Sequence, residues 1–223
     1  ISHVPLGELG YVSSMRALAC AGVSPADLDL IVFGTCSFDE QVPNMASGVQ
    51  KRLGAVNAGA MDIKTACTSY LYGLATASAM IRQGTVRNAL VIGGDLISPL
   101  MDWKNRNVAV LFGDGCAATV LQATEGDEGV LADKLGCYGD VRGILQVHGM
   151  GQRYANRGWH LGDTEWVFEG QEIFKRAVVG MSHACETVLG ATRLAAGDID
   201  LVVPHQANLR IIEAVVKRAE IPM

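Results

Sequence analysis

The sequence predicts an α/β protein with largely parallel sheets covered by helices on both faces. Three observations carry that prediction. Short, continuous β-branched runs (29–34, 89–93 and 200–203) alternate with longer segments whose apolar residues recur every three to four positions. The hexapeptide Asp27-Leu28-Asp29-Leu30-Ile31-Val32 returns as Asp198-Ile199-Asp200-Leu201-Val202-Val203, 171 residues later. Each copy follows a long helix and a short turn, and precedes a brief loop and another helix, so the chain reads as a duplication. Finally, 49% of the 223 residues are hydrophobic, 18% are charged and 26 are glycine, the composition of a large core whose elements pack closely.

The elements follow in order. Leu9 to Ala21 has helical period and stops at Gly22. Asp29 to Gly34 reads as a buried strand. Pro43-Asn44 opens a helix carrying Met45, Val49 and Leu53 that Gly54 ends. A short apolar run at 60–63 leads through Lys64, Thr65 and Ala66 to Cys67, and a helix continues to Gly84, with Tyr70, Leu71, Leu74, Ala75, Ser78 and Ile81 on one face. Ala89 to Gly93 is a second buried strand, ending in Gly93-Gly94-Asp95. Val108 to Phe112 and Ala117 to Leu121 read as strands joined by a Gly113-Asp114-Gly115 hairpin. Residues 125–165 are irregular, with further strand and long loops. Phe168 to Leu189 is a long helix, Asp200 to Val203 a strand, and Ala207 to Ala219 a helix. The expected organisation is a first half over 1–124, a connection over 125–165 and a second half over 166–223.

Composition also excludes. The net charge of −5, with Lys and Arg scattered, leaves no footprint for nucleic acid. No apolar run is long enough to span a membrane, and residues 1–10 do not resemble a signal peptide. The six cysteines show no paired spacing, so reduced thiols in a cytoplasmic protein are expected. His3, His148, His160 and His183 have no metal-ligand spacing. Gly113-Asp114-Gly115 lacks the lysine of a phosphate loop and reads as a structural turn. The chain begins at Ile1 rather than methionine and stops at Met223 just behind a helix, so a piece of a longer protein is expected.

Two residues stand out chemically. Cys67 falls where a strand hands over to a helix, and a helix amino terminus favours a thiolate. A free cysteine is more often a small buried hydrophobe, so this alone decides little. His205, in Val203-Pro204-His205-Gln206-Ala207-Asn208, occupies the matching junction in the second copy. A thiol and an imidazole at equivalent strand ends of a duplicated fold is an arrangement suited to nucleophilic catalysis.

The runs DIKTACTSYLYGLATA, LFGDGCAATVL and LVVPHQANLRII, in that order, resemble β-ketoacyl-acyl-carrier-protein synthase III of the thiolase superfamily. The resemblance implies duplicated thiolase-like halves layered α-β-α-β-α. It implies that Cys67 takes an acyl group from acyl-CoA. His205 then assists decarboxylation of malonyl-acyl-carrier protein, and the carbanion attacks the acyl thioester, initiating fatty-acid synthesis. It also implies a homodimer, acyl carrier protein as partner, and no cofactor beyond the two substrates. Arg106 and Arg210 match arginines at the tunnel mouth that meet CoA phosphates or carrier protein; Phe174 matches an aromatic lining CoA, and Lys175 a carrier-docking lysine. The loop 37–43 has Val42 where an aromatic is common. The family's asparagine lies well beyond the histidine and has no position before Met223. Alternatives are a specialised acyltransferase or condensing enzyme of secondary metabolism, and an inactive fragment that only binds acyl chains.

Overall fold

The computed structural model describes residues 3–149 and 164–221, and the chain divides into two compact units. The first comprises Ile1–Ser98 and Gly113–Glu128, the second Pro99–Phe112 and Gly129–Met223.

The first unit is a four-stranded sheet ordered β2-β1-β3-β4, formed by β1 (Leu30–Gly34), β2 (Gly59–Ile63), β3 (Asn88–Leu96) and β4 (Asp114–Gln122). The first three strands are parallel, with Gly34 opposite Ile63 on one side and Gly93 on the other. β4 runs antiparallel to β3, so the sheet is mixed rather than wholly parallel. Alternation along the strands divides the core. Ile31, Phe33, Leu90 and Ile92 face α1 (Leu6–Ala21) and α2 (Met45–Leu53), while Leu30, Val32, Ala89 and Val91 face α3 (Ser69–Arg82). Both faces are covered, which is why these strands read as unbroken apolar runs.

Helix ends follow the local chemistry. Gly22 and Gly54 take left-handed conformations that end α1 and α2. Asn44 caps α2 by accepting from Ser47 N, and the Asp62 carboxylate accepts from Met45 N and Ala46 N at 2.8 Å each. The face of α3 that meets the sheet differs from the sequence expectation. Leu71 is 59% exposed, while Gly73 presses on Val91 and Val32 and Ala77 is fully buried. Small residues bring this helix close, and the larger ones fall to its flanks.

The 113–115 hairpin is not formed. Residues 106–109 make a short helix, α4 (Arg106–Ala109), capped by Asn105, and Asp114 and Gly115 already belong to β4. Tertiary contacts override the strand-like composition of 108–112. Val108 is fully buried, and Phe112 packs against Trp166 in a tilted pair with ring centroids 5.0 Å apart.

The second unit also holds an antiparallel pair, β5 (Leu145–His148) and β6 (Glu165–Phe168), and the helices α5 (Gly170–Thr192) and α6 (Leu209–Ala219), which pack together. Trp166 Nε1 donates to the carbonyl of Leu100 at 2.8 Å, tying 99–112 into this unit. The duplication extends into backbone detail. α1 ends at left-handed Gly22 before the 3₁₀ turn Pro25–Asp27, and α5 ends at left-handed Arg193 before the 3₁₀ turn Ala196–Asp198, all at the same offset of 171. The second copy does not become a strand, however. Residues 199–206 have no ladder partner among the described residues, and Leu201 and Val203 are 77% and 76% exposed. An extended segment needs neighbouring backbone to become a strand, and β1 has one on each side.

Candidate active site

Cys67 stands on a 3₁₀ turn, Ala66–Thr68, between the end of β2 and the start of α3. The turn is held from within. Ser69 Oγ donates to the Ala66 carbonyl at 2.7 Å and accepts from Thr65 N at 2.9 Å, and Thr68 Oγ1 donates to the Thr65 carbonyl at 2.7 Å. Ala66 has φ 51°, a left-handed conformation unusual for a residue with a side chain, and it immediately precedes the cysteine. Ser69 is buried, and its turn presses directly on the strand ends. A Cβ on Gly34 would lie 2.6 Å from the Ser69 carbonyl carbon, and one on Gly93 would lie 2.8 Å from Tyr70 Cβ. Gly34 at the end of β1 and Gly93 beside it in β3 therefore allow α3 to seat its first turn against the sheet, which fixes where Cys67 emerges.

A cavity of about 290 Å³ opens beside Cys67. Its walls include Gly34, Tyr70, Gly93, Asp95 and Ala117, and it is mostly apolar. The Tyr70 hydroxyl is held by Thr119 Oγ1 at 2.7 Å. A larger depression of about 490 Å³ lies at the opposite, amino ends of the strands, lined by Asp29, Arg87 and Asn88 among others. It offers no nucleophile, and the Asp29 carboxylate there is occupied by the N–H groups of Arg87 and Asn88.

The electrostatics of Cys67 correct one expectation. The thiol is pushed up from its ordinary value of 9.0, not down. Desolvation by the surrounding protein is the main cause and the Asp95 carboxylate the second, and together they outweigh the stabilising backbone N–H. The residue as a whole is exposed, so reagents reach it even though its sulfur is desolvated. Cys36, just past the end of β1, is pushed further, to about 12, by burial and then by Asp95.

Asp95 and its partners were not singled out from the sequence. Its Oδ1 accepts from Thr35 Oγ1 (2.9 Å), Cys36 N (2.8 Å), Ser37 N (3.1 Å) and Ser37 Oγ (2.8 Å), joining the end of β3 to the loop after β1. The available signal was an acidic residue directly behind a glycine pair at the end of a buried strand.

The other expected residues lie in the second unit. His205 is exposed on the extended segment leading into α6, whose amino terminus Asn208 caps by accepting from Arg210 N at 2.9 Å. Arg106 is exposed at the start of α4, and Arg210 is exposed in the first turn of α6. Phe174 is half-buried on α5, and the exposed Lys175 pairs with Glu172 at 3.5 Å. Of these residues, the first unit brings only Cys67 to a cavity. Among the described residues no cluster could hold a metal ion, and no helix is long and apolar enough to cross a membrane. His160 lies outside the described residues.

Two family descriptions match the chain: 3-oxoacyl-[acyl-carrier-protein] synthase III over residues 61–139, and the C-terminal part of the same family over 189–223. The solved 3-oxoacyl-[acyl-carrier-protein] synthase III of Aquifex aeolicus superposes with a TM-score of 0.89 at 33% identity, covering 99% of this chain and 68% of that one. The chain belongs to the synthase III family. Within this family, β-ketoacyl-[acyl-carrier-protein] synthase III 2 of Vibrio cholerae is 46% identical over 96% of the chain and 59% of its own length. The synthase III of Allorhizobium ampelinum is 40% identical over 97% of the chain and 67% of its own length. The chain thus spans about three fifths to two thirds of the length of these synthase III relatives. Its fold is that of the thiolase-like synthase III structures. Both the Cys67 turn and β4 fall inside the first match, and His205 falls inside the second.

Proposed function

We propose that the protein to which this chain belongs is a β-ketoacyl-acyl-carrier-protein synthase III that starts fatty-acid chains. The observation that carries this is Cys67, presented on a strained, internally bonded turn beside an apolar cavity, in a chain of the synthase III family. The Cys67 sulfur attacks the carbonyl of acyl-CoA, the thiol proton is lost and CoA leaves as its thiol. Malonyl-acyl-carrier protein then loses CO₂, and His205 donates a hydrogen bond to the enolate oxygen that results. The enolate carbon attacks the acyl-Cys67 thioester, releasing the β-ketoacyl product and restoring the thiol.

The raised thiol makes the first step dependent on proton removal, because little thiolate stands ready at neutral pH. The mostly apolar cavity suits an acyl chain. Arg106 and Arg210, both exposed and cationic, serve CoA phosphates or the acidic carrier protein, with Lys175 on the docking surface and Phe174 beside CoA. The enzyme works as a cytoplasmic homodimer with acyl carrier protein as its macromolecular partner, and needs no cofactor beyond its substrates. The two duplicated regions, 1–124 and 166–223, supply the cysteine and the histidine respectively.

The test is intact-mass analysis after incubation with acetyl-CoA and longer acyl-CoAs. An acyl adduct that maps to Cys67 and disappears in Cys67→Ala is expected. A folded protein that forms no adduct refutes the assignment.

A further inference from the structure

We propose that Asp95 is a positioning residue of the Cys67 site, which fixes the loop after β1 and sets a negative charge in the cavity so that Cys67 accepts neutral rather than anionic acyl donors. This rests on Cys67 being the acylated residue.

The geometry is that of a built anchor. Asp95 is the eighth residue of β3, paired with Gly115 of β4. A Cβ on the preceding Gly94 would lie 2.6 Å from Cys116 Sγ, so β3 and β4 approach as closely as glycine permits just before the carboxylate leaves the strand. Four donors from residues 35–37 converge on Oδ1, two backbone N–H groups and two hydroxyls. Ser37 Oγ in turn accepts from Leu96 N at 2.8 Å, closing a ring between loop and strand. Four hydrogen bonds on one oxygen hold the carboxylate in place and remove its freedom to turn away. The same residue lines the cavity with Cys67.

The charge is felt by every thiol around it. Cys36 from the loop after β1, Cys67 from the turn before α3 and Cys116 from β4 are all raised in part by Asp95. Lys64 opposes it at Cys36, lowering that thiol, and lies over the Phe38 ring at 5.5 Å. A carboxylate-bearing acyl group entering the cavity to reach Cys67 therefore meets a like charge in a poorly hydrated space. An uncharged acyl group does not. This would keep the carboxylated extender off the thiol during the first half-reaction and leave it for decarboxylation.

The experiment compares iodoacetamide, which is neutral, with iodoacetate, which is anionic. Alkylation is read separately at each cysteine by peptide mass spectrometry, with exposed Cys20 as the internal reference. At Cys67 of the unaltered protein the preference for iodoacetamide should exceed that at Cys20 by about tenfold, the order expected of one like charge acting at short range. Asp95→Asn keeps an acceptor for the four donors and should bring the Cys67 preference down to that of Cys20. It should also move the alkylation midpoint of Cys67 to lower pH. Equal preferences at Cys67 and Cys20 in the unaltered protein refute the proposal whether or not the variant folds. So does a folded Asp95→Asn variant with unchanged preference and midpoint. An acyl adduct on Cys67 without reagent discrimination removes Asp95's role alone. Discrimination without an acyl adduct removes the assigned function and leaves the charge effect standing.

Discussion

Gly34→Ala is the sharpest probe of how the fold places Cys67. A Cβ at this position would lie 2.6 Å from Ser69 C, 2.8 Å from Ser69 O and 2.8 Å from Tyr70 N, all backbone atoms of the first turn of α3. No rotamer change can clear them. Restoring contact to 3.4 Å requires α3 to withdraw by the difference, 0.8 Å, from the end of β1. The helix resists, because Gly73 is seated on Val91 and Val32 and Tyr70 is held over Gly93 and to Thr119. Overpacking of this kind costs about 1–3 kcal/mol. For a chain of this size that is a fall of roughly 2–12 °C in the unfolding midpoint. The turn carrying Cys67 would move with the helix, and a misplacement near 1 Å lowers reaction rates by about a hundredfold. Thermal unfolding and the rate of Cys67 acylation test both parts, with Gly113→Ala, where a Cβ meets nothing within 4 Å, as the control. A Gly34→Ala protein within a degree of the parent and acylated at the same rate would show that the strand end does not set the position of the turn.

Three further outcomes follow from the same geometry. Gly48→Ala, at an exposed position inside α2 with open space around it, should stabilise the protein by about 0.5–1 kcal/mol in a denaturant titration. Asp62→Ala removes the acceptor for Met45 N and Ala46 N and should destabilise by about 1–2 kcal/mol in the same assay, with Asp62→Asn recovering part of the loss. Cys36 holds its proton more tightly when folded, with its value raised from 9.0 to about 12. Its contribution is therefore fully present below pH 9 and is lost as pH climbs toward 12, because the unfolded chain ionises first. Stability measured from pH 8 to pH 11 should fall less steeply in Cys36→Ala than in the parent, and parallel curves would contradict the assigned burial.

Sequence pattern revealed most of the first unit because its signals are local. The runs that became β1 and β3 are apolar on both faces, and that pattern marks a strand wherever both sides are covered. Gly22 and Gly54 marked helix ends because a left-handed residue is needed there. Residues 108–112 misled for the opposite reason. Their β-branched composition was real, yet Val108 and Phe112 are placed by burial and by Trp166, more than fifty residues along the chain. The apolar spacing of α3 suggested a Leu71 face, whereas close packing is achieved where side chains are smallest.

Taken alone, the order of residues established the α/β class, the duplication and the junction at which Cys67 stands. The repeat even carried through to the left-handed helix ends at Gly22 and Arg193. What it left open was the state of the thiol. Helix position argued for a low value, while burial and the Asp95 carboxylate, brought over from the end of β3, hold it high. That outcome could not be read along the chain, because Asp95, Ser37 and Cys67 meet only when three strands align their ends. Local conformation is written in neighbouring residues, but the field at an atom is a sum over everything folded around it.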